Sequence, residues 1–335
     1  MTTPPNLATI TARHTELAPH IVRTPTVCCH AERLLQASGA SSLVFKFEQL
    51  QHTGTFKARG ALSVLSTIAP DKRASGITAV SAGNHAIAAA WAARRAGLSA
   101  SVVMQSNANP FRVALAEAEG ARVILAEPGP PAFAEAERLE REEGRTFVHP
   151  FEGEHTTLGA AGVGLELLQD AGDLDAVVVA LGGGGLISGV AAAVKAIQPN
   201  CAVYGVEPTG ANAMQQSRAK GEPITLDEVA TIADSLGPPM TLPYSFALCQ
   251  QLLDDVVSVD DDQICAGLRL YQEDLKLAVE PAAGAALAGA LGPLRSRLAG
   301  QRVGVVVCGA NIDAATYATY LERGTAHAAA LLAPG

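Results

Sequence analysis

The 335-residue sequence predicts an α/β protein of open, mostly parallel, twisted sheets with helices on both faces. Three observations carry that expectation. Short apolar runs without alternation recur along the chain, as strands do when both of their faces are covered. Helix-length segments separate these runs, which makes right-handed βαβ units and parallel sheets. Apolar residues reach 48% while aromatics are only 4%, so the core must be built mainly from Ala and small aliphatics.

In chain order, 43–47 reads as strand and 56–68 as helix. Strand 77–80, helix 85–96, strand 101–104, helix 110–119, strand 122–126 and helix 131–143 follow. Beyond them come helix 158–169, strand 176–180, a helix after four glycines, strand 202–206 and a late strand 303–307. The stretch from Ala176 to Val194 carries no charge and is long enough to cross a bilayer. Gly182, Gly183, Gly184 and Gly185 interrupt it, however, after the β-branched run Val177, Val178 and Val179. Strand, glycine turn and helix is therefore the expected parse, with no membrane span. Residues 73–150 hold three or four βα units and read as a small domain inserted into a larger one. His149-Pro150 marks the return crossing, since a residue before proline is biased out of helix.

Composition excludes several classes. The 24 Lys plus Arg against 33 Asp plus Glu give a net charge of −9, and charged residues make up 17%. A chain this apolar offsets its ordering entropy and folds. No basic stripe exists to neutralise phosphates, so nucleic acid is not an expected partner. Six scattered cysteines and no secretory leader suggest reduced thiols and a cytoplasmic protein. Cys28-Cys29-His30 lacks the second cluster that a metal site needs, and reads as a buried strand end.

Three segments carry chemistry. The glycine run 182–185 exposes backbone amides at a helix N-terminus, which makes either a phosphate cup or a tight turn. It lacks both the P-loop lysine and the GxGxxG spacing. Thr53-Gly54-Thr55-Phe56-Lys57 opens a helix with a lysine that opposes the helix dipole. That lysine is either a solvated surface group or one whose charge is consumed by imine formation. Ser81-Ala82-Gly83-Asn84-His85 lies at another strand-to-helix junction, where its amides suit a carboxylate. His85 alone also reads as a structural histidine.

The stretch EQLQHTGTFKARGA from Glu48 to Ala61 resembles the cofactor-lysine signature of fold-type II pyridoxal-phosphate enzymes. It is most similar to the serine/threonine dehydratase (threonine ammonia-lyase) and serine racemase group. Arg23-Thr24-Pro25, the loop 81–85, Gly182 to Leu186, Glu280-Pro281 and Cys308-Gly309-Ala310-Asn311 extend the resemblance over nearly the whole chain. It implies the two-domain fold of the tryptophan synthase β type. Residues 1–72 and 151–335 would form the large cofactor-binding domain, and 73–150 the small substrate-clamping domain.

The resemblance also implies roles. Lys57 would carry pyridoxal 5'-phosphate, with Phe56 packed near the ring and Asn84 partnering the ring hydroxyl. The amides of Gly182, Gly183, Gly184, Gly185 and Leu186 would bind the phosphate. Ser81, Ala82, Gly83, Asn84 and His85 would clamp the substrate carboxylate. Cys308 would face the pyridine nitrogen; a thiol cannot hold a proton there as a carboxylate would, which favours expelling a β-leaving group. Lys57 would then act as base toward the α-proton.

The implied activity is conversion of L-threonine or L-serine to a 2-oxo acid and ammonia by β-elimination. Racemases of the group carry a second serine where this chain has Ala82, so a dehydratase is expected rather than a racemase. Gly159-Ala160-Ala161-Gly162 departs from the usual Gly-Gln-Gly-Thr beside the active site, and opens the alternative of hydroxyaspartate or an aryl-serine. A non-catalytic ligand sensor, or a nucleotide-binding protein without visible absorption, stands as a further alternative. Relatives bind a divalent cation; Glu207 and Ala211 match, but Ala213 replaces the acidic ligand, so a weak or absent cation site is expected. The resemblance implies a homodimer, with the Ala-rich segment 282–290 as either contact surface or buried core. Only 24 residues follow Asn311, so a catalytic core without the regulatory domain of biosynthetic threonine deaminases is expected.

Overall fold

The computed structural model describes residues 2–81 and 83–333. Ten strands among them form two sheets. In chain order they are β1 (Thr26–Cys28), β2 (Ser42–Phe47), β3 (Ile77–Val80), β4 (Ala100–Gln105) and β5 (Arg122–Ala126), then β6 (Thr146–Phe147), β7 (Ala176–Ala180), β8 (Ala202–Pro208), β9 (Asp255–Val259) and β10 (Arg302–Val307). One sheet has six strands in the order β1-β2-β10-β7-β8-β9, and the other has four in the order β5-β4-β3-β6. Every pairing is parallel except β1 with β2.

β3 and β7 behave as expected for strands covered on both sides, with every residue buried, whereas β5 at a sheet edge buries none of its residues. The glycine break divides the uncharged stretch into β7 and the helix Gly185–Ile197. No helix among the described residues is long and apolar enough to cross a membrane. β1, β6 and β9 add to the expected strands. β1 is short and at an edge, and it ends at an exposed Cys28, so only Cys29 is buried. One open choice is decided. The helix Pro281–Leu291, which covers 282–290, is buried along its whole length against β7, β8, β9 and β10. It is core of this chain and offers no surface to a second copy.

Small residues decide how closely the helices approach. A Cβ on Gly159 would stand 2.5 Å from the Arg59 carbonyl oxygen, and one on Gly189 would stand 2.5 Å from that of Thr157. The helix Glu154–Ala171 thus lies in near backbone contact with both Lys57–Leu65 and Gly185–Ile197. The lysine helix and the glycine-loop helix are thereby referenced to one common element.

Four charged side chains lie entirely out of solvent beneath the lysine helix: Lys46, Glu48, Arg59 and Glu166. The Arg59 guanidinium donates to Glu48 at 2.8 and 2.9 Å and to Glu166 at 2.8 and 2.8 Å. Lys46 Nζ donates to Glu166 at 2.6 Å and to the Thr24 carbonyl at 2.7 Å. Burial alone would weaken the Arg59 charge, but the two carboxylates more than offset it and hold its pKa above the ordinary value. Removing one partner of such a cluster strands a buried charge, at a cost of about 3–5 kcal/mol. Arg59→Leu is therefore expected to lose stability of that order in chemical denaturation. Arg59→Lys should recover only part of it, because an ammonium cannot serve both carboxylates as a fork does.

Candidate active site

A cavity of about 190 Å3 opens where the carboxyl ends of β3, β7 and β10 meet. This is the position at which open α/β sheets bind ligands. It gathers Phe56, Lys57, Ser81, Gly83, Asn84, His85, Gly182, Gly183, Gly184, Gly185, Leu186 and Cys308. Ala82 lies outside the described residues.

The lysine is placed by a stitched pair of loops. After β2 the chain passes through left-handed backbone at Thr53 (φ 65°) and Gly54 (φ 72°). A Cβ on Gly54 would approach the Asn311 side-chain oxygen to 2.7 Å. The Phe56 amide donates to the Cys308 carbonyl at 3.1 Å, the Ala310 amide to Gly54 at 3.0 Å, and the Asn311 side-chain amide to Thr53 at 2.8 Å. Lys57 then begins its helix, its Nζ donating to the Pro150 carbonyl at 2.6 Å. Burial lowers its pKa from 10.5 to about 8, against smaller opposing effects of Glu280 and Cys308. The lysine is thus half-buried in the cavity wall and partly neutral, unlike a solvated surface group.

The glycine run forms a close-fitting cradle. Gly184 adopts φ 94°, and a side chain on Gly183 would run into the Phe151 ring. A Cβ on Gly182 would stand 2.9 Å from the Leu236 backbone. Among the described residues, none of the four amides donates to a protein acceptor. They gather at the N-terminus of Gly185–Ile197, where dipole and amides favour an anion.

In the loop after β3, Ser81 Oγ accepts the Gly83 amide at 3.0 Å. Asn84 is fixed from both sides: its amide nitrogen donates to the Glu280 carboxylate at 2.8 and 2.7 Å, and its oxygen accepts from Asn311 at 2.9 Å. His85 Nε2 sits 2.8 Å from the Val148 carbonyl. Burial, then the nearby Lys57, lower the His85 pKa to about 3, so the ring is neutral. Cys308 is fully buried in the cavity wall, and burial raises its thiol pKa well above the ordinary value.

Two further expected segments lie outside the main cavity, one of them still beside the lysine. Ala160 of the altered segment 159–162 meets Lys57 and Gly185 across a void of about 10 Å3 behind the lysine, not along the main cavity. Glu207 lies away from the cavity, and both carboxylate oxygens accept backbone amides, Met214 at 2.9 Å and Gln215 at 2.8 Å. It thereby caps the helix Ala213–Lys220, just beyond Ala211, and burial raises its pKa to about 8. Among the described residues no three His, Cys, Asp or Glu side chains converge on a metal position.

Sequence reasoning missed Arg112, Phe133, Asp234 and the segment Pro238, Pro239 and Met240, all in the cavity wall. It noted Glu280 only as part of a motif. Arg112 pairs with Asp234 through Nη1, lies 3.8 Å from Glu280, and donates to the Asn311 carbonyl at 2.9 Å. Nothing within its own helix signals these contacts.

The family model described as "Pyridoxal-phosphate dependent enzyme" matches residues 17–309. The chain belongs to that family. This pyridoxal-phosphate-dependent enzyme is 48% identical over 323 residues to a phenylserine dehydratase of Ralstonia pickettii, covering 96% of this chain and 98% of that one. An L-threo-3-hydroxyaspartate ammonia-lyase of a Pseudomonas species is 35% identical over 301 residues, 90% of this chain and 93% of the relative. The structure of maize serine racemase superposes with a TM-score of 0.90 at 32% identity, covering 97% and 99% of the two chains. With these relatives the enzyme is a lyase, a dehydratase of β-hydroxy amino acids.

The residues present fit the cofactor. A cradle with no room for a Cβ keeps its amides free for a phosphate, and a half-buried, partly neutral amine stands in the same cavity. At pH 7 an amine of pKa about 8 holds roughly 300-fold more neutral form than one at 10.5. Attachment to an aldehyde needs that neutral form. The rate at which apoenzyme gains its visible absorption with pyridoxal phosphate should therefore rise with pH and level off above about 8. Lys57→Ala should show no covalent attachment after borohydride reduction and mass measurement.

Proposed function

We propose that this dehydratase prefers β-hydroxy amino acids with a β-aryl substituent, of the phenylserine class, and acts more slowly on L-threonine and L-serine. The observation that carries this reading is the pairing of charge in the cavity. Arg112 is committed to Asp234, Glu280 and Asn311, and His85 is neutral. Among the described lining residues no free cation is left for a second substrate carboxylate, which argues against hydroxyaspartate. The likeness to a phenylserine dehydratase over nearly the whole chain supports the same choice.

Pyridoxal phosphate, when bound, supplies the electron withdrawal that makes the α-proton acidic and lets the β-hydroxyl depart. In the proposed arrangement the amides of Gly182 to Leu186 hold its phosphate at the helix N-terminus. Asn84 is held in place for the ring hydroxyl by Glu280 and Asn311. Ser81 and the amides opening the helix Asn84–Arg95 hold the substrate carboxylate. Lys57 Nζ takes the α-proton, an equivalent proton leaves with the β-hydroxyl as water, and the amine is neutral again for the next turnover. The Cys308 thiol stays protonated and adds no anion beside the ring nitrogen. Residues 73–150, bearing the Ser81 loop and Arg112, serve as the substrate clamp. From phenylserine the hydroxyl leaves as water, one water returns, and the products are phenylpyruvate and ammonia.

The six free cysteines suit a reducing compartment such as the cytoplasm, and the family resemblance supports a homodimer as the working form. In a panel of purified holoenzyme with phenylserine, threonine, serine and threo-3-hydroxyaspartate, the release of 2-oxo acid should be fastest from phenylserine and slowest from hydroxyaspartate. Hydroxyaspartate as the best substrate would overturn the reading.

A further inference from the structure

Phe133 has no part in the fold that accounts for it. Its helix, Pro130–Glu143, buries the stripe Ala132, Ala136 and Leu139 against Val80 and Val103 of the four-stranded sheet. Phe133 lies off that stripe, on the face carrying exposed Ala134, Glu137 and Glu140. Its side of the helix is otherwise small or charged, and the phenyl ring remains 36% exposed. Of the large apolar residues left exposed in the described structure, Phe133 alone lines the catalytic cavity. Pro239 and Met240 line the same cavity from the segment that follows Asp234, and they too are only partly covered.

We propose that Phe133, together with Pro239 and Met240, forms the pocket for the substrate's β-aryl ring and sets the preference for aryl over alkyl side chains. This rests on the aryl-serine reading above and assigns it to named residues. An aromatic ring placed there covers the Phe133 ring and gains edge or offset-stacked contact with it. A methyl group or hydrogen at the β-carbon leaves the ring in water, so the contact discriminates by size and apolarity. Because Phe133 and Met240 come from units built on different sheets, an aryl substrate touches both walls of the cleft.

The test compares wild-type holoenzyme with Phe133→Ala and Phe133→Leu, each first checked for the cofactor's visible absorption. Loss of a pocket-lining ring should lower the kcat/KM ratio of phenylserine to threonine by about 30-fold in Phe133→Ala, with a smaller fall in Phe133→Leu. The loss should lie mainly in KM. L-phenylalanine lacks a β-leaving group, so its binding is read by calorimetry without turnover. Its Kd should weaken by a similar factor relative to that of L-alanine. An unchanged ratio in both variants, with wild type still active on phenylserine, overturns the pocket and leaves the substrate reading standing. Wild type inactive on phenylserine overturns the substrate reading and the pocket with it.

Discussion

Arg59 holds two buried carboxylates with one planar fork, and the position of the reactive lysine follows from that contact. Lys57 stands two residues earlier on the same helix, so its Nζ points into the cavity only if the helix is held in this rotation. Glu48 ties the fork to the turn after β2, and Glu166 ties it to the helix Glu154–Ala171. With Lys46 the cluster holds two cations and two anions, so the charge it buries is balanced. Burying four charges is costly, and it succeeds here because every carboxylate oxygen has a donor at hydrogen-bond distance. In a chain with so few charges, this cluster is a specific expense for orientation.

The same logic of paired charge shapes the cavity. Arg112 crosses from one sheet's unit to Asp234, Glu280 and Asn311 of the other, and Gly83 must lack a side chain for it to pass. Glu280 in turn orients Asn84. Once these groups have matched one another, the reactive group left without a carboxylate partner is a half-buried amine with its pKa lowered to about 8. Around it stand unspent backbone amides and apolar surface. Such a site suits an anionic, carbonyl-bearing cofactor and a substrate whose side chain carries no second charge.

Much of this was legible in the primary structure. The β-branched runs, the glycine break and the lysine after Thr53-Gly54 are local signals, set by backbone conformation and burial over a few residues. They were enough for the fold class and for the part of the cavity wall made by the lysine, the loop after β3 and the glycine run. The segment 159–162 was recognised as unusual, but its place behind the lysine was not readable, because helix packing at Gly159 decides which side it faces. The Ala-rich segment 282–290 left surface and core equally open; its whole-length burial depends on four strands that come from distant parts of the chain.

What the sequence determined by itself was therefore most of the strands and helices, and the glycine run and Lys57 as candidates for a phosphate cradle and an imine, since each depends on neighbours within one turn or one strand. The tertiary structure alone decided the pairing of Asn84 with Glu280, 196 residues away, and of Arg112 with Asn311, 199 residues away. It alone decided that Phe133, one apolar residue on a polar helix face, opens into the cavity. Those outcomes turn on which surfaces meet when the two sheets come together, and no local pattern of residues encodes that meeting.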